Sequence, residues 1–153
     1  FRPNDENYCS AILDTNKEVD LFFYHNKSAL NTIDKKTAEY QKAKISSIRK
    51  IKTRSLNEIM ENSKYNDCEI DFLTIDVEGS ELSVLKNFNF QKYKPKIIVV
   101  EYLDLSLSQL GIKNLDIKKT LDSDIYKLIS SNNYTLANML HSDLVFVYND
   151  FRD

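Results

Sequence analysis

The sequence predicts an α/β fold, and three observations carry the prediction. Glu69 to Asp76 reads as a strand with apolar residues on both faces, Leu73 and Ile75 on one, Ile70, Phe72 and Thr74 on the other. Such a strand is expected to be covered on both sides. Lys96 to Glu101 is a continuous apolar run closed by a carboxylate, the composition of a buried parallel strand. Between them, Glu81 to Phe88 places Leu82, Leu85 and Phe88 on one helical stripe. Strand–helix pairs in succession point to this fold class.

The other elements follow in chain order. Tyr8 to Asp14 reads as a short strand centred on Ala11, Ile12 and Leu13. Asp14 to Glu18 is turn chemistry, because Asp and Asn accept turn geometry through their side chains. Val19 to Tyr24 is a second strand, so the pair reads as a hairpin or as a strand with an antiparallel return. His25 to Thr32 is polar and loop-like, and Asp34 to Lys44 has the residue types of an exposed helix. Ile45 to Arg54 alternates Lys50, Lys52 and Arg54 with Ile51 and Thr53, which predicts a half-buried strand with a basic outer face. Ser55 followed by Glu58 fits a capping box opening a helix to about Asn62. Val77 to Gly79 turns the chain, and Pro95 opens the next strand. Tyr102 to Asp116 is irregular, with a stop at Gly111. Ser123 to Ser131 reads as a helix packing Ile125, Leu128 and Ile129, and Tyr134 to Met139 and Asp143 to Tyr148 as a terminal pair of strands.

Bulk properties narrow the function classes. The 153 residues fit one domain. Net charge is only -2, which argues against a general nucleic-acid or membrane-surface binder, and the basic strand face reads better as a solvated surface. No apolar run reaches bilayer-spanning length. Cys9 and Cys68 match no metal-ligand spacing, and with no secretory leader they read as reduced thiols of a cytoplasmic protein. Glycine occurs only at Gly79 and Gly111, so no glycine-rich phosphate or dinucleotide loop can be written. The first residue is Phe1 rather than Met, which suggests a processed chain or a fragment of a longer reading frame.

In an open parallel α/β sheet, ligands bind beyond the carboxyl ends of the strands. Asp76 with Glu78, and Glu101, finish two strands there, and if those strands are neighbours the three acids converge on one rim. Gly79 allows a tight turn and close ligand approach. The bland alternative is that Asp76 or Glu78 only caps the helix that follows. A magnesium site built from the acids is a further alternative, though no metal is assigned.

The stretch from Ile70 to Lys86, with its Asp76-Val77-Glu78-Gly79 block, resembles the signature segment of FkbM-type methyltransferases. The follow-on from Lys94 to Glu101 is similar to theirs, and a looser likeness runs from about residue 8 to residue 148. The resemblance implies a Rossmann-like class I methyltransferase sheet, mostly parallel with an antiparallel strand near one edge. It implies S-adenosylmethionine as cofactor, and methyl transfer to a hydroxyl of a small-molecule acceptor, a glycan or natural product. By position, Asp14 resembles the region that approaches the adenine, although it equally reads as a turn residue. The family's first two strands, with their glycine-containing acidic loop, have no counterpart here. The Tyr8 to Asp14 strand is therefore expected to pair elsewhere or to be completed by another part of a longer chain.

A hydroxyl acceptor must lose its proton, which calls for a base within hydrogen-bond reach. The candidates are Asp76, Glu78, Glu101 and His141, with His25 behind them; Asp76 and Gly79 are also the candidates for contact with the cofactor. Asn31 and Thr32 either line the acceptor pocket or close their own loop. The competing functional reading is a truncated, non-catalytic methyltransferase-like domain that binds no cofactor by itself. A nicotinamide-dependent enzyme lacks its glycine loop here.

Overall fold

The computed structural model describes residues 3–25, 28, 31–40, 44–102, 116–140 and 142–152; His141 and Gly111 lie outside them. The described strands are β1 (Ala11–Leu13), β2 (Glu18–Phe23), β3 (Ser47–Ser55), β4 (Phe72–Ile75), β5 (Ile97–Glu101), β6 (Tyr134–Leu140) and β7 (Asp143–Tyr148). The helices are α1 (Lys35–Tyr40), α2 (Leu56–Asn62), α3 (Glu81–Leu85), α4 (Phe90–Tyr93), α5 (Ile117–Asp122) and α6 (Asp124–Ser130). The strands form two sheets, one of order β1-β3-β2 and one of order β4-β5-β7-β6.

The four-stranded sheet holds the core. β4 and β5 run parallel, with Leu73 opposite Ile98 and Ile75 opposite Val100. β7 runs antiparallel to β5, with Phe146 opposite Ile98 and Leu144 opposite Val100. Side chains alternate along a strand, so this register gathers every second residue onto one face. There, Ile98, Val100, Leu144 and Phe146 are fully buried. The same cluster takes in Val84, Leu85 and Phe88 from α3 and its end, Phe90 and Tyr93 from α4, and Ile125 and Ile129 from α6. Each such large apolar side chain contributes about 1.5–3 kcal/mol by leaving water. Tyr134 is buried among them because its hydroxyl donates to the Pro95 carbonyl at 2.7 Å.

Several sequence expectations are corrected. β4 is not covered on both faces: Phe72 is 55 % exposed and Thr74 is also exposed. The strands are divided between two sheets rather than one, but in the four-stranded sheet β4, β5 and β6 run in one direction and only β7, beside the β6 edge, runs against them; in the three-stranded sheet β1 and β3 are parallel and β2 is antiparallel. The terminal strands simply return on one another through a short connection. β1 and β2 form no hairpin; β3 lies between them, parallel to β1 and antiparallel to β2. The strand at Tyr8 to Asp14 thus does pair elsewhere. On α3, Leu82 is 37 % exposed, and the buried stripe is Glu81, Val84 and Leu85. α1 is not wholly exposed, because Thr37 and Ala38 are buried. α5 was not foreseen; Asp116 caps it by accepting from the Lys119 N–H at 3.1 Å.

The three-stranded sheet is held by polar contacts. Thr53 is its hub: the hydroxyl donates to the Thr15 carbonyl at 2.7 Å and accepts from the Lys17 N–H at 3.0 Å. The basic outer face of β3 is paired with acids, Lys50 with Asp20 at 2.9 Å and Arg54 with Glu58 at 2.9 Å. The capping box is half formed: Ser55 Oγ accepts from the Glu58 N–H, whereas the Ser55 N–H goes to Asn16 because Arg54 and Asn16 hold the Glu58 carboxylate. Among the described residues no helix is long and apolar enough to cross a membrane. Cys9 and Cys68 are exposed free thiols.

Candidate active site

The carboxyl ends of β4 and β5 carry the acids. Because Ile75 lies opposite Val100 in a parallel pair, the next residues, Asp76 just past β4 and Glu101 at the end of β5, stand side by side. The chain then turns through Glu78 (φ 55°) and Gly79 (φ 98°). A left-handed glutamate is uncommon and tends to persist only where its surroundings enforce it. Here Thr32 Oγ1 donates to the Glu78 carbonyl at 2.8 Å. From below, Glu81 Oε1 accepts from the N–H groups of Val77 at 3.0 Å and Gly79 at 3.1 Å. The turn is therefore tied by Glu81, while the N-cap residue of α3, Ser80, makes no side-chain cap. Asp76 itself is exposed and takes no hydrogen bond among the described residues.

Carboxylate oxygens of Asp76, Glu81 and Glu101 all lie within 4.8 Å of one another. Like charges this close oppose each other's ionisation, and burial opposes it further. Glu101 responds most: desolvation first, then the charges of Asp76, Glu78, Glu81 and Asp143, push its pKa up to about 7. Glu78 is raised by burial and then by Asp76 and Glu81, and Glu81 is raised mainly by burial against the backbone bonds it accepts. Glu101 Oε2 is buried without a hydrogen-bond partner.

A cavity of about 520 Å³ opens beside these acids, bordered by Asp34, Thr37, Gly79, Glu81, Glu101 and the start of α6 at Asp124. Among the described residues of that wall Lys36 is the one cation, beside five acids, so the field inside favours a cation. Asp34 starts α1 by accepting the Thr37 N–H at 2.6 Å, which sets Thr37 against Gly79. A second cleft, of about 540 Å³, lies at the opposite ends of β4 and β5, where Lys96 is paired with Glu69 and Asp71. Asp76, Glu78, Glu81 and Glu101 do not border it.

Of the residues singled out from sequence, Asp76, Glu78, Gly79 and Glu101 come together. Asp14 does not border the cavity; it accepts from the Thr15 hydroxyl and pairs with Lys17 at 3.7 Å, as a turn residue does. His25 is exposed and absent from the cavity wall. Asn31 accepts the Tyr24 N–H and donates to the His25 carbonyl, so it closes its own loop. Thr32 braces the acid turn. His141 lies outside the described residues. Sequence reading missed Glu81, Asp34 and Thr37. Glu81 had a signal: it sits three and four residues before Val84 and Leu85, a carboxylate in line with an apolar stripe.

The model of the Methyltransferase FkbM domain family matches residues 2–136. No curated protein and no solved structure matches the chain. With most of its length matched and the acid turn inside that span, the chain belongs to the FkbM methyltransferase domain family.

Proposed function

We propose that this domain carries out S-adenosylmethionine-dependent methylation of a hydroxyl on a small-molecule acceptor, a sugar or natural product, at the rim formed by Asp76, Glu78, Gly79 and Glu101. The observation that carries the reading is the convergence of Asp76, Glu81 and Glu101 beside an acidic cavity, in a chain of this family. The donor set fits the cationic part of the cofactor: carboxylates of Asp34, Glu81, Glu101 and Asp124 face a space of ligand size. When bound, S-adenosylmethionine supplies a methyl group on a sulfonium, already activated as a leaving group. The protein's own work is then alignment and proton handling. Glu101, whose pKa is raised to about 7 by burial and then by its acidic neighbours, is the group suited to take the acceptor's proton. Gly79 keeps the backbone low where the ligand approaches, and Asp76 faces the open rim.

The scarcity of glycine favours a second reading, a methyltransferase-like domain that binds no cofactor alone. Calorimetric titration of S-adenosylhomocysteine into the folded chain separates the two. Stoichiometric binding that weakens in Asp76→Ala supports the enzyme; a folded chain without binding supports the second reading.

A further inference from the structure

The acid cluster also fits a ligand that methyl transfer does not require. Hard divalent cations take oxygen ligands at roughly 2.0–2.6 Å, so oxygens on opposite sides of one ion are about 4–5 Å apart. The oxygens of Asp76, Glu81 and Glu101, within 4.8 Å of one another, fit a single coordination sphere. Glu81 uses Oε1 to hold the turn, which leaves its second oxygen for a ligand. No lysine or arginine forms an ion pair with the three among the described residues.

Acids alone are common without a metal, but the same place holds two orphaned oxygens. Thr37 is 1 % exposed, and its hydroxyl is buried with no partner. It borders the cavity with Glu81 and Glu101, and it reaches over the acid-bearing turn so closely that a Cβ on Gly79 would lie 2.3 Å from Oγ1. Glu101 Oε2 is the other orphan. Buried polar atoms are nearly always satisfied, so two such oxygens beside one carboxylate cluster call for a shared partner. A cation is the partner that accepts oxygen donors from all four residues at once.

We propose that Asp76, Glu81 and Glu101 bind one divalent cation of the magnesium, manganese or calcium class, with the Thr37 hydroxyl at the margin of its site. The ion would offset most of the cluster's charge, hold Glu101 ionised as a ligand so that it acts as the base only in the ion-free site, and at the rim of the cavity leave positions open for water or an acceptor oxygen.

The test is calorimetric titration of magnesium, manganese and calcium chloride into the chelator-treated full chain. It contains neither cofactor nor acceptor, so its result stands apart from the methyltransferase reading. One ion per chain is expected, with affinity falling at least about tenfold in Asp76→Asn and in Glu101→Gln, and less in Thr37→Val. Asp150→Asn, at the far end of the sheet, should bind as the parent does. Melting curves in chelator establish that each variant folds, and the exposed Asp76 provides a substitution that leaves the core untouched. Absence of saturable binding up to about 10 mM, beyond the weak end of protein calcium sites, overturns the proposal. So does binding that is equal in Asp76→Asn and Glu101→Gln.

Discussion

The four-stranded sheet buries Ile98, Val100, Leu144 and Phe146 completely, whereas along the strands of the three-stranded sheet only Leu13 and Thr53 are buried. The first is held by apolar area removed from water. The second is held by the Thr53 hydrogen bonds and by ion pairs along an exposed face. The acid turn belongs to the first, standing on β4 and α3, but its upper braces, Thr32 and Thr37, come from the segment that links β2 to β3. The core sheet thus carries the carboxylates, and the buried Thr32 and Thr37 brace the turn from the other side.

The sharpest way to break this contrast is Phe146→Ala. Loss of a fully buried aromatic should cost about 3–5 kcal/mol, read as a fall in global unfolding free energy by denaturant titration. If the loss were no greater than for Leu21→Ala in half-buried β2, the division of stability drawn here would be wrong.

Gly79→Ala tests the junction. At φ 98° an added Cβ is strained, and it would lie 2.3 Å from Thr37 Oγ1. A cost of about 1–3 kcal/mol is expected from the backbone strain alone. Combining it with Thr37→Ala should recover part of that cost. Additive losses in the double variant would show that the two residues do not press on each other.

Thr53→Val removes both hydroxyl bonds while keeping the side-chain shape. About 1–3 kcal/mol should be lost, since the Lys17 N–H and the Thr15 carbonyl lose their partner. Hydrogen exchange should quicken in β1 to β3 and leave β5 and β7 unchanged; uniform acceleration would mean that the two sheets unfold as one.

Glu101 gives a pH signature in chelator. Its folded pKa of about 7 lies above the ordinary 4.5, so between those values the folded state holds more proton than the unfolded one. Stability contributed by protonated Glu101 is complete below about pH 4.5 and is lost as pH rises through 7. Glu101→Gln, which mimics the protonated form, should melt higher than the parent at pH 8 and close to it at pH 5. Parallel melting profiles at both pH values would remove Glu101 as the titrating group.

The smallest effect belongs to Lys50→Ala. The pair with Asp20 is solvent-exposed, and its loss should leave the unfolding midpoint unchanged at 0.15 M salt. A clear fall would assign the outer face of β3 a larger part in holding the three-stranded sheet.

Local pattern made much of this molecule legible. The KIIVVE run, the helix that follows Ser123 and the paired terminal strands stand close to where residue types placed them, because each depends on neighbours in sequence. The acids Asp76, Glu78 and Glu101 were legible as strand ends. Three features were not. The insertion of β3 between β1 and β2 is a pairing across some 40 residues, which short-range pattern does not encode. The open face of β4 depends on which helices pack where, and Phe72 has the same composition covered or bare. The role of Glu81 needs the chain to fold back on itself over four residues before its carboxylate meets the Val77 N–H.

What the sequence by itself determined is most of the local elements, α4 and α5 excepted, and the family, written in the acid block Asp76 to Gly79 and the strand that ends at Glu101. Tertiary structure alone decided that these acids meet. The parallel register of β4 on β5 sets Asp76 beside Glu101, α3 turns Glu81 up between them, and α1 brings Thr37 down over Gly79. The burial of Glu101 and then the charge density around it, which together raise its pKa, arise from the packing of elements that are remote in sequence.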